Sequence, residues 1–449
     1  MSAIDSVASL PPCTARSIRK NHPRRGYRAL APLPPLSNCS ASRPLLLDRR
    51  VLMVTLTGFC VFLNVYATQT LLPLFTRIFG AGKFQVSLTV SATTIGIALS
   101  APIVGLLAER IGRKRTMAGS VALLTLPILF SATAHSLYAL IAWRFVQGLV
   151  MPGIIAVTMA YISEEWAGGG AAGVMSAYVG GNVLGGVTGR FISGVMAQHY
   201  GWRMAFVVLA GLNALGAAAV CLWLPRSRYA HTAGNLRASV ADMLAHLRRP
   251  ALRATFAIGM CALFALVATF TYITFYLSAS PFHLGTFALG SLFLVYLIGV
   301  VVTPVAGRWI DRWGHRRALV IASLVAAAGV GLTLVHSLLM VIVGLAVCST
   351  AIFICQAAAA SYLGHVAGHA KASAAGLYTT FYYLGGTLGA AVPALAWSAG
   401  GWPACVVLIG MTLLIASMLA LTMWRPVAPE TVVDRPSLTA GELAVAAEG

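Results

Sequence analysis

The chain has 449 residues, of which 59% are hydrophobic and 9% charged, with a formal net charge of +20. Soluble domains carry about a quarter charged residues, so most of this chain does not face water. Its apolar runs are continuous rather than alternating, which excludes a β-barrel and leaves membrane-crossing helices. The positive charge is divided among short loops and tails and forms no basic face, so nucleic acid is excluded as a partner.

Residues 1–50 hold nine Lys/Arg among prolines and serines. They read as a disordered basic cytoplasmic tail; a transit peptide or a later start at Met53 are the alternatives, and no apolar stretch there ends in a signal-peptide cleavage site. Spans are predicted at 51–75, 87–107, 117–134, 137–163, 171–198 and 203–224. After a polar linker, 225–252, six more are predicted at 253–278, 286–307, 317–335, 338–363, 372–396 and 402–424, followed by a cytoplasmic tail, 425–449. The predicted fold is an all-α integral membrane protein of twelve transmembrane helices, with six-helix bundles at 51–224 and 253–424.

Three markers recur at a near-constant offset, which signals duplication. The stretch Gly105–Met117 (GLLAERIGRKRTM) returns as Gly307–Leu319 (GRWIDRWGHRRAL), Gly201-Trp202 as Gly401-Trp402, and Tyr161 as Tyr362. Of the 31 Lys/Arg, only Arg77, Lys83 and Arg203 fall in loops on the side opposite this motif, and Arg144 and Arg190 lie within spans. By the positive-inside rule, the motif and both termini are cytoplasmic.

In the motif, Gly105 and Gly112 allow close helix approach and a tight turn, and Glu109 sits where Arg110, Arg113 or Lys114 can donate charge-assisted hydrogen bonds. The second copy supplies Gly307, Asp311, Arg312 and Gly314. In span four Arg144, Gln147, Gly148 and Met151 share a helical face. Arg144 is about 10 Å deep at 1.5 Å per residue. An arginine there costs roughly 2.5–3.5 kcal/mol, so it is expected to face a water-filled cavity or a partner. At the end of span four, Glu164 and Glu165 are candidates to pair with Arg113 or Arg110 when that side closes, the alternative being a solvated helix end. Span five has Gly181, Gly185 and Gly189 at four-residue spacing, a pattern for close helix packing.

Other candidates for a substrate cavity are Asn64 and Gln69 in span one, Asn182 and Arg190 in span five, Tyr272 and Tyr276 in span seven, Gln356 in span ten, and Tyr378 and Tyr382 in span eleven. None of the eleven acids lies in the middle of a span. A cavity with a cation and no fixed anion favours anionic, zwitterionic or neutral amphiphilic substrates. No nucleophile–base pair or metal-ligand cluster is evident, so no enzyme activity, cofactor or metal is expected. No P-loop is present to make ATP the direct energy source.

Gly105, Leu107, Ala108, Arg110, Gly112, Arg113 and Lys114 resemble the signature of the major facilitator superfamily, G-x-L-a-D-R-x-G-R-K, with Glu109 in place of Asp. The resemblance implies a cytoplasmic latch that stabilises an outward-facing state. Arg144, Gln147 and Gly148 match the family's R-x-x-Q-G, which it links to proton coupling. Span five resembles the antiporter motif G-x-x-x-G-P-x-x-G-G, except that Gly186 replaces proline and Arg190 the last glycine. YISEE and GNVLGGVTGRFISG look like the acriflavine-sensitivity (YnfM-type) permeases, grouped with arabinose-efflux-like transporters. The resemblance implies a monomeric transporter of the bacterial inner membrane, among lipid, exporting a drug or small metabolite in exchange for protons by alternating access. A non-transporting sensor on the same fold and an uptake permease or facilitator are the alternatives.

Overall fold

A computed structural model describes residues 48–166, 170–225, 243–368 and 371–424, without the side chains of 105–107, 109, 172, 303–305, 311, 371 and 372. The expected basic tail (all but its last three residues), most of the linker and the final tail lie outside the described residues. The described residues form helices and turns, with no strand among them.

Nine described helical stretches are long and apolar enough to cross a membrane. Ala171–His199, Tyr296–Trp313 and Lys371–Ala391 complete the twelve positions. In order, the spans are Arg49–Phe79, Lys83–Ile111, Arg113–Ala132, Leu137–Glu165, Ala171–His199 and Trp202–Trp223. The second six begin with Pro250–Ser278; span eight enters through Thr286–Ser291 and Leu292–Val295 before Tyr296–Trp313, and His315–Leu332 and Leu338–Val366 follow. Span eleven runs from Lys371 past Ala391 into Pro393–Met423, where non-helical backbone at Gly400 and Gly401 separates it from span twelve.

The repeat is written in the backbone. Gly112 (φ 95°, ψ 139°) and Gly314 (φ 81°, ψ 149°) make the same turn between spans two and three and between eight and nine. Only glycine adopts that left-handed φ without strain, so both copies of the motif require it.

Two predicted helices are interrupted. Span one extends to Phe79 and breaks after Val65 into a 3₁₀ turn, Ala67–Leu71, before Leu72–Phe79 resumes. Its apolar run is unbroken in sequence, but Pro73 lacks an N–H and suits the first turn of a helix, so a new helix starts there. The carbonyls at the end of the first piece lose their helical partners. Span four divides at Met151, with Pro152 opening its second piece.

Glycines set how closely the spans approach. A Cβ on Gly181, Gly185 or Gly189 would stand 2.5, 2.3 or 1.9 Å from the carbonyl oxygens of Thr55, Phe59 and Leu63 in span one. In span eleven, Gly385 and Gly389 hold span seven in the same way, 2.0 and 2.5 Å from the carbonyls of Met260 and Phe264. The same small-residue ladder therefore joins spans one and five and spans seven and eleven. Gly189→Ala is expected to destabilise the protein by about 1–3 kcal/mol through overpacking, whereas Gly180→Ala, with nothing within 4 Å of its Cβ, should leave it unchanged or slightly stabilised. Thermal unfolding of the purified protein separates the two.

Candidate functional site

Three polar assemblies are distinguishable in the described residues. The first centres on Arg144, which is fully buried. Its Nε donates to the carbonyl of Thr89 at 3.2 Å, one terminal nitrogen to the carbonyl of Asn64 at 2.8 Å and to Gln147 Oε1 at 2.6 Å, and the other to the carbonyl of Val65. Asn64 and Val65 are the carbonyls at the span-one break. Gln147 Nε2 in turn donates to the carbonyl of Pro127 and to Ser131 Oγ, at 3.1 and 2.8 Å. Gly148 makes this approach possible, since a Cβ there would meet the Thr93 carbonyl at 2.1 Å. Asn64, 1% exposed, donates to the Cys60 carbonyl at 2.9 Å and faces Asn213.

Arg144, Gln147 and Asn64 are all buried in this structure, and of the two expectations for Arg144, a cavity or a partner, the structure displays a partner. The partner that Arg144 requires is main-chain carbonyl oxygen, supplied by an interrupted helix. A guanidinium with its donors satisfied in this way tolerates full burial.

The second assembly lies at the seam between the halves. Arg190, 3% exposed, donates from Nε to Gln69 Oε1 at 2.8 Å and from a terminal nitrogen to the Gly186 carbonyl at 2.7 Å. Its guanidinium carbon sits 4.8 Å from the ring centre of Tyr66, 4.5 Å from that of Phe293 and 5.3 Å from that of Tyr296. Gln69 Nε2 continues across to Thr271 Oγ1 at 3.0 Å. A buried cation is thus caged by rings from both halves. Phe293, Tyr296 and Thr271 were not singled out by sequence; an aromatic residue in an apolar span carries no mark of a cation opposite it.

Other seam contacts join the same regions. Ser91 Oγ donates to the Thr387 carbonyl, and Thr94 and Thr387 share a hydroxyl hydrogen bond, both at 2.9 Å. Thr286 Oγ1 donates to the Gly194 carbonyl at 3.1 Å, and Lys83 Nζ lies 5.1 Å from the Trp397 ring centre. These contacts between described residues of the two halves fall at the centre and at the end of the spans opposite the Gly105–Met117 motif.

The remaining candidates divide. Tyr272 is fully buried, with its hydroxyl donating to the Ala390 carbonyl at 2.9 Å, and Tyr276 stacks on Trp402 with ring centres 5.9 Å apart. Tyr272 also packs with Phe275 and Trp397, and Tyr276 with Phe282, so neither ring stacks on the tyrosines of span eleven. Asn182 packs on span one, where a Cβ on Gly58 would meet its Oδ1 at 2.1 Å. Tyr378 stands against Gly259 as Tyr178 does against Gly58, and it stacks on the half-buried Tyr382 at 5.9 Å. Gln356 is half-buried, and its Nε2 is buried with no hydrogen-bond partner.

The third assembly is at the motif end. Arg113 Nε donates to Glu164 Oε2 at 2.7 Å, and a terminal nitrogen to Oε1. Glu165 faces Arg50 at 3.9 Å. The bidentate pair ties span three to span four within one half. In the second half, His315 and His365 stand at these positions, with ring centres 5.0 Å apart and Ser361 hydrogen-bonded to both. Among the described residues no group of three His, Cys, Asp or Glu is placed to hold a metal.

The family model of the Major Facilitator Superfamily matches residues 54–390 and 293–446. The chain belongs to that superfamily. Its relatives include an uncharacterized MFS-type transporter, YybF, of Bacillus subtilis, 32% identical over 81% of this chain and 90% of its own length. The inner membrane transport protein YnfM of Escherichia coli is 31% identical over 82% and 88%. Among solved structures, a bacterial homolog of the human lysosomal transporter Spinster, in an inward-facing and occupied conformation, superposes with TM-score 0.69 at 15% identity, covering 84% of this chain and 98% of that one. The nucleoside transporter NupG superposes with TM-score 0.70 at 13% identity, covering 84% and 100%. The chain is a multi-pass membrane transporter with the major facilitator fold, and not an enzyme.

Arg144→Ala withdraws a donor from four acceptors, two of which, the Asn64 and Thr89 carbonyls, keep a second one in Tyr66 N and Thr93 Oγ1; a buried acceptor left without any donor costs about 1–3 kcal/mol. The substitution is expected to lower the unfolding temperature steeply and abolish transport, with Arg144→Lys rescuing little because one ammonium cannot reach all four. Near-normal thermal stability of Arg144→Ala would contradict this structural role. Glu164→Gln is expected to lose about 1–2 kcal/mol from the state shown, a fivefold to thirtyfold change in its population; partial recovery in the charge-swapped double variant, Arg113→Glu with Glu164→Arg, is checked by transport rate.

Proposed function

We propose that this transporter exports a drug or small metabolite across the bacterial inner membrane in exchange for protons, working as a monomer with both termini cytoplasmic. The bundles 51–224 and 253–424 rock against each other about a central site. The observation that carries this reading is the one-sided placement of the seam. Contacts joining the halves gather at one end of the spans, as in one of the two states that alternating access requires. Rocking would break the seam, including the Arg190 cage, while the Arg113–Glu164 pair tunes the balance between the states.

The direction of the charge supports a cargo that is not a dication. Arg190 has no carboxylate among the spans to offset it, so a cationic substrate would be repelled at the centre. YnfM, named as an inner membrane transport protein, is a relative whose location agrees with this assignment.

Reconstituted protein is expected to accumulate substrate against its gradient when a pH gradient is imposed, and to lose that accumulation with a protonophore. A panel of labelled aromatic acids and neutral drugs provides the assay. Equilibration that ignores the pH gradient would replace the exchanger by a facilitator. Binding of panel compounds without any flux would favour the sensor.

A further inference from the structure

Arg144 and Arg190 are both buried, but they are not partnered alike. The donors of Arg144 reach four oxygen acceptors. For Arg190 the protein supplies two oxygens, Gln69 Oε1 and the Gly186 carbonyl, and otherwise the faces of Tyr66, Phe293 and Tyr296. Aromatic faces attract a cation but do not neutralise it. The repeat places Ala390 where the first half has Arg190, so this position of the fold is filled in the second half without a charge.

The surroundings are rich in donors. The Tyr382 ring is 5.9 Å from that of Tyr378 and 5.4 Å from that of Tyr383. Among the described residues, the hydroxyls of Tyr66, Tyr296, Tyr382 and Tyr383 make no hydrogen bond. A phenol hydroxyl can donate to an anion, and its ring stacks on a flat apolar body. A cation surrounded by unengaged hydroxyls and rings is suited to one ligand class.

We propose that Arg190 and the Tyr66 and Tyr296 hydroxyls form the binding site for the acidic group of an aromatic organic anion, whose flat body lies among the rings. This deepens the transport reading above and rests on it for the physiological meaning of the site. Because the rings come from both halves, the ligand would engage both bundles at the seam.

Binding to the purified full-length protein tests it independently of flux, with three probes of matched shape: 2-naphthoate, 2-naphthalenemethanol and 2-naphthylmethylamine. The wild type is expected to bind 2-naphthoate about tenfold or more tightly than the alcohol, and the amine more weakly still. Arg190→Gln should erase that preference. Tyr66→Phe, which keeps the ring over Arg190, should weaken 2-naphthoate binding severalfold without changing that of the alcohol, and keeps the test open if Arg190→Gln fails to fold. Absence of an anion preference in the wild type, its persistence in Arg190→Gln, or unchanged 2-naphthoate binding in the Phe variant would overturn the assignment. Arg190-dependent anion binding without flux would leave the site standing and remove the transport reading; proton-coupled flux confined to neutral compounds would do the reverse.

Discussion

A positive charge inside a membrane protein must be answered by something, and this chain has no carboxylate in the middle of any span to answer it. Much of the first half is arranged around that constraint. Span one is interrupted after Val65, and the interruption exposes main-chain oxygens that Arg144 gathers together with Gln147 and the Thr89 carbonyl. One guanidinium thereby fixes spans one, two and four, and Gln147 extends the grip to span three. Arginine suits this role because its planar fork presents five donors that stay charged.

The internal duplication is kept where geometry demands it and abandoned where charge is placed. The glycine turns at Gly112 and Gly314, and the ladders of Gly185 with Gly189 and Gly385 with Gly389, are shared. At the positions of Arg144 and Arg190 the second half has the apolar Leu345 and Ala390. Span seven is a continuous helix where span one is broken. The second half contributes rings to the seam, through Phe293, Tyr296 and Trp397. The first half supplies the cations, including Lys83. Two structurally similar halves thus bring complementary surfaces together, held among the described residues by cation–ring contacts and hydroxyl hydrogen bonds.

The parts legible in the sequence were those with a period or a composition. Long apolar runs marked the spans, a fixed offset marked the duplication, and four-residue glycine spacing marked the packing of span five on span one. The break in span one was not legible, because Val65 to Leu72 is as compatible with a helix as its flanks until Pro73 is weighed. The partners of Arg144 were hidden for another reason: main-chain oxygens are present at every residue and carry no signature. Tyr272 and Tyr276 shared their residue type with Tyr378 and Tyr382, but depth along the helix separates them, and depth depends on where the halves meet. The ladder of Gly385 and Gly389 is readable from the repeat, at the offset of 200 that links them to Gly185 and Gly189.

The central claim is that the seam at the end opposite the Gly105–Met117 motif is one state of a two-state molecule. Spin labels at Phe84 and Leu395, exposed positions 48% and 70% accessible on either side of that seam, report it directly in reconstituted protein. The account predicts two distance populations, a short one for the sealed state and a longer one, whose ratio shifts with pH or with added 2-naphthoate. A single distance that stays fixed under all these conditions would contradict it.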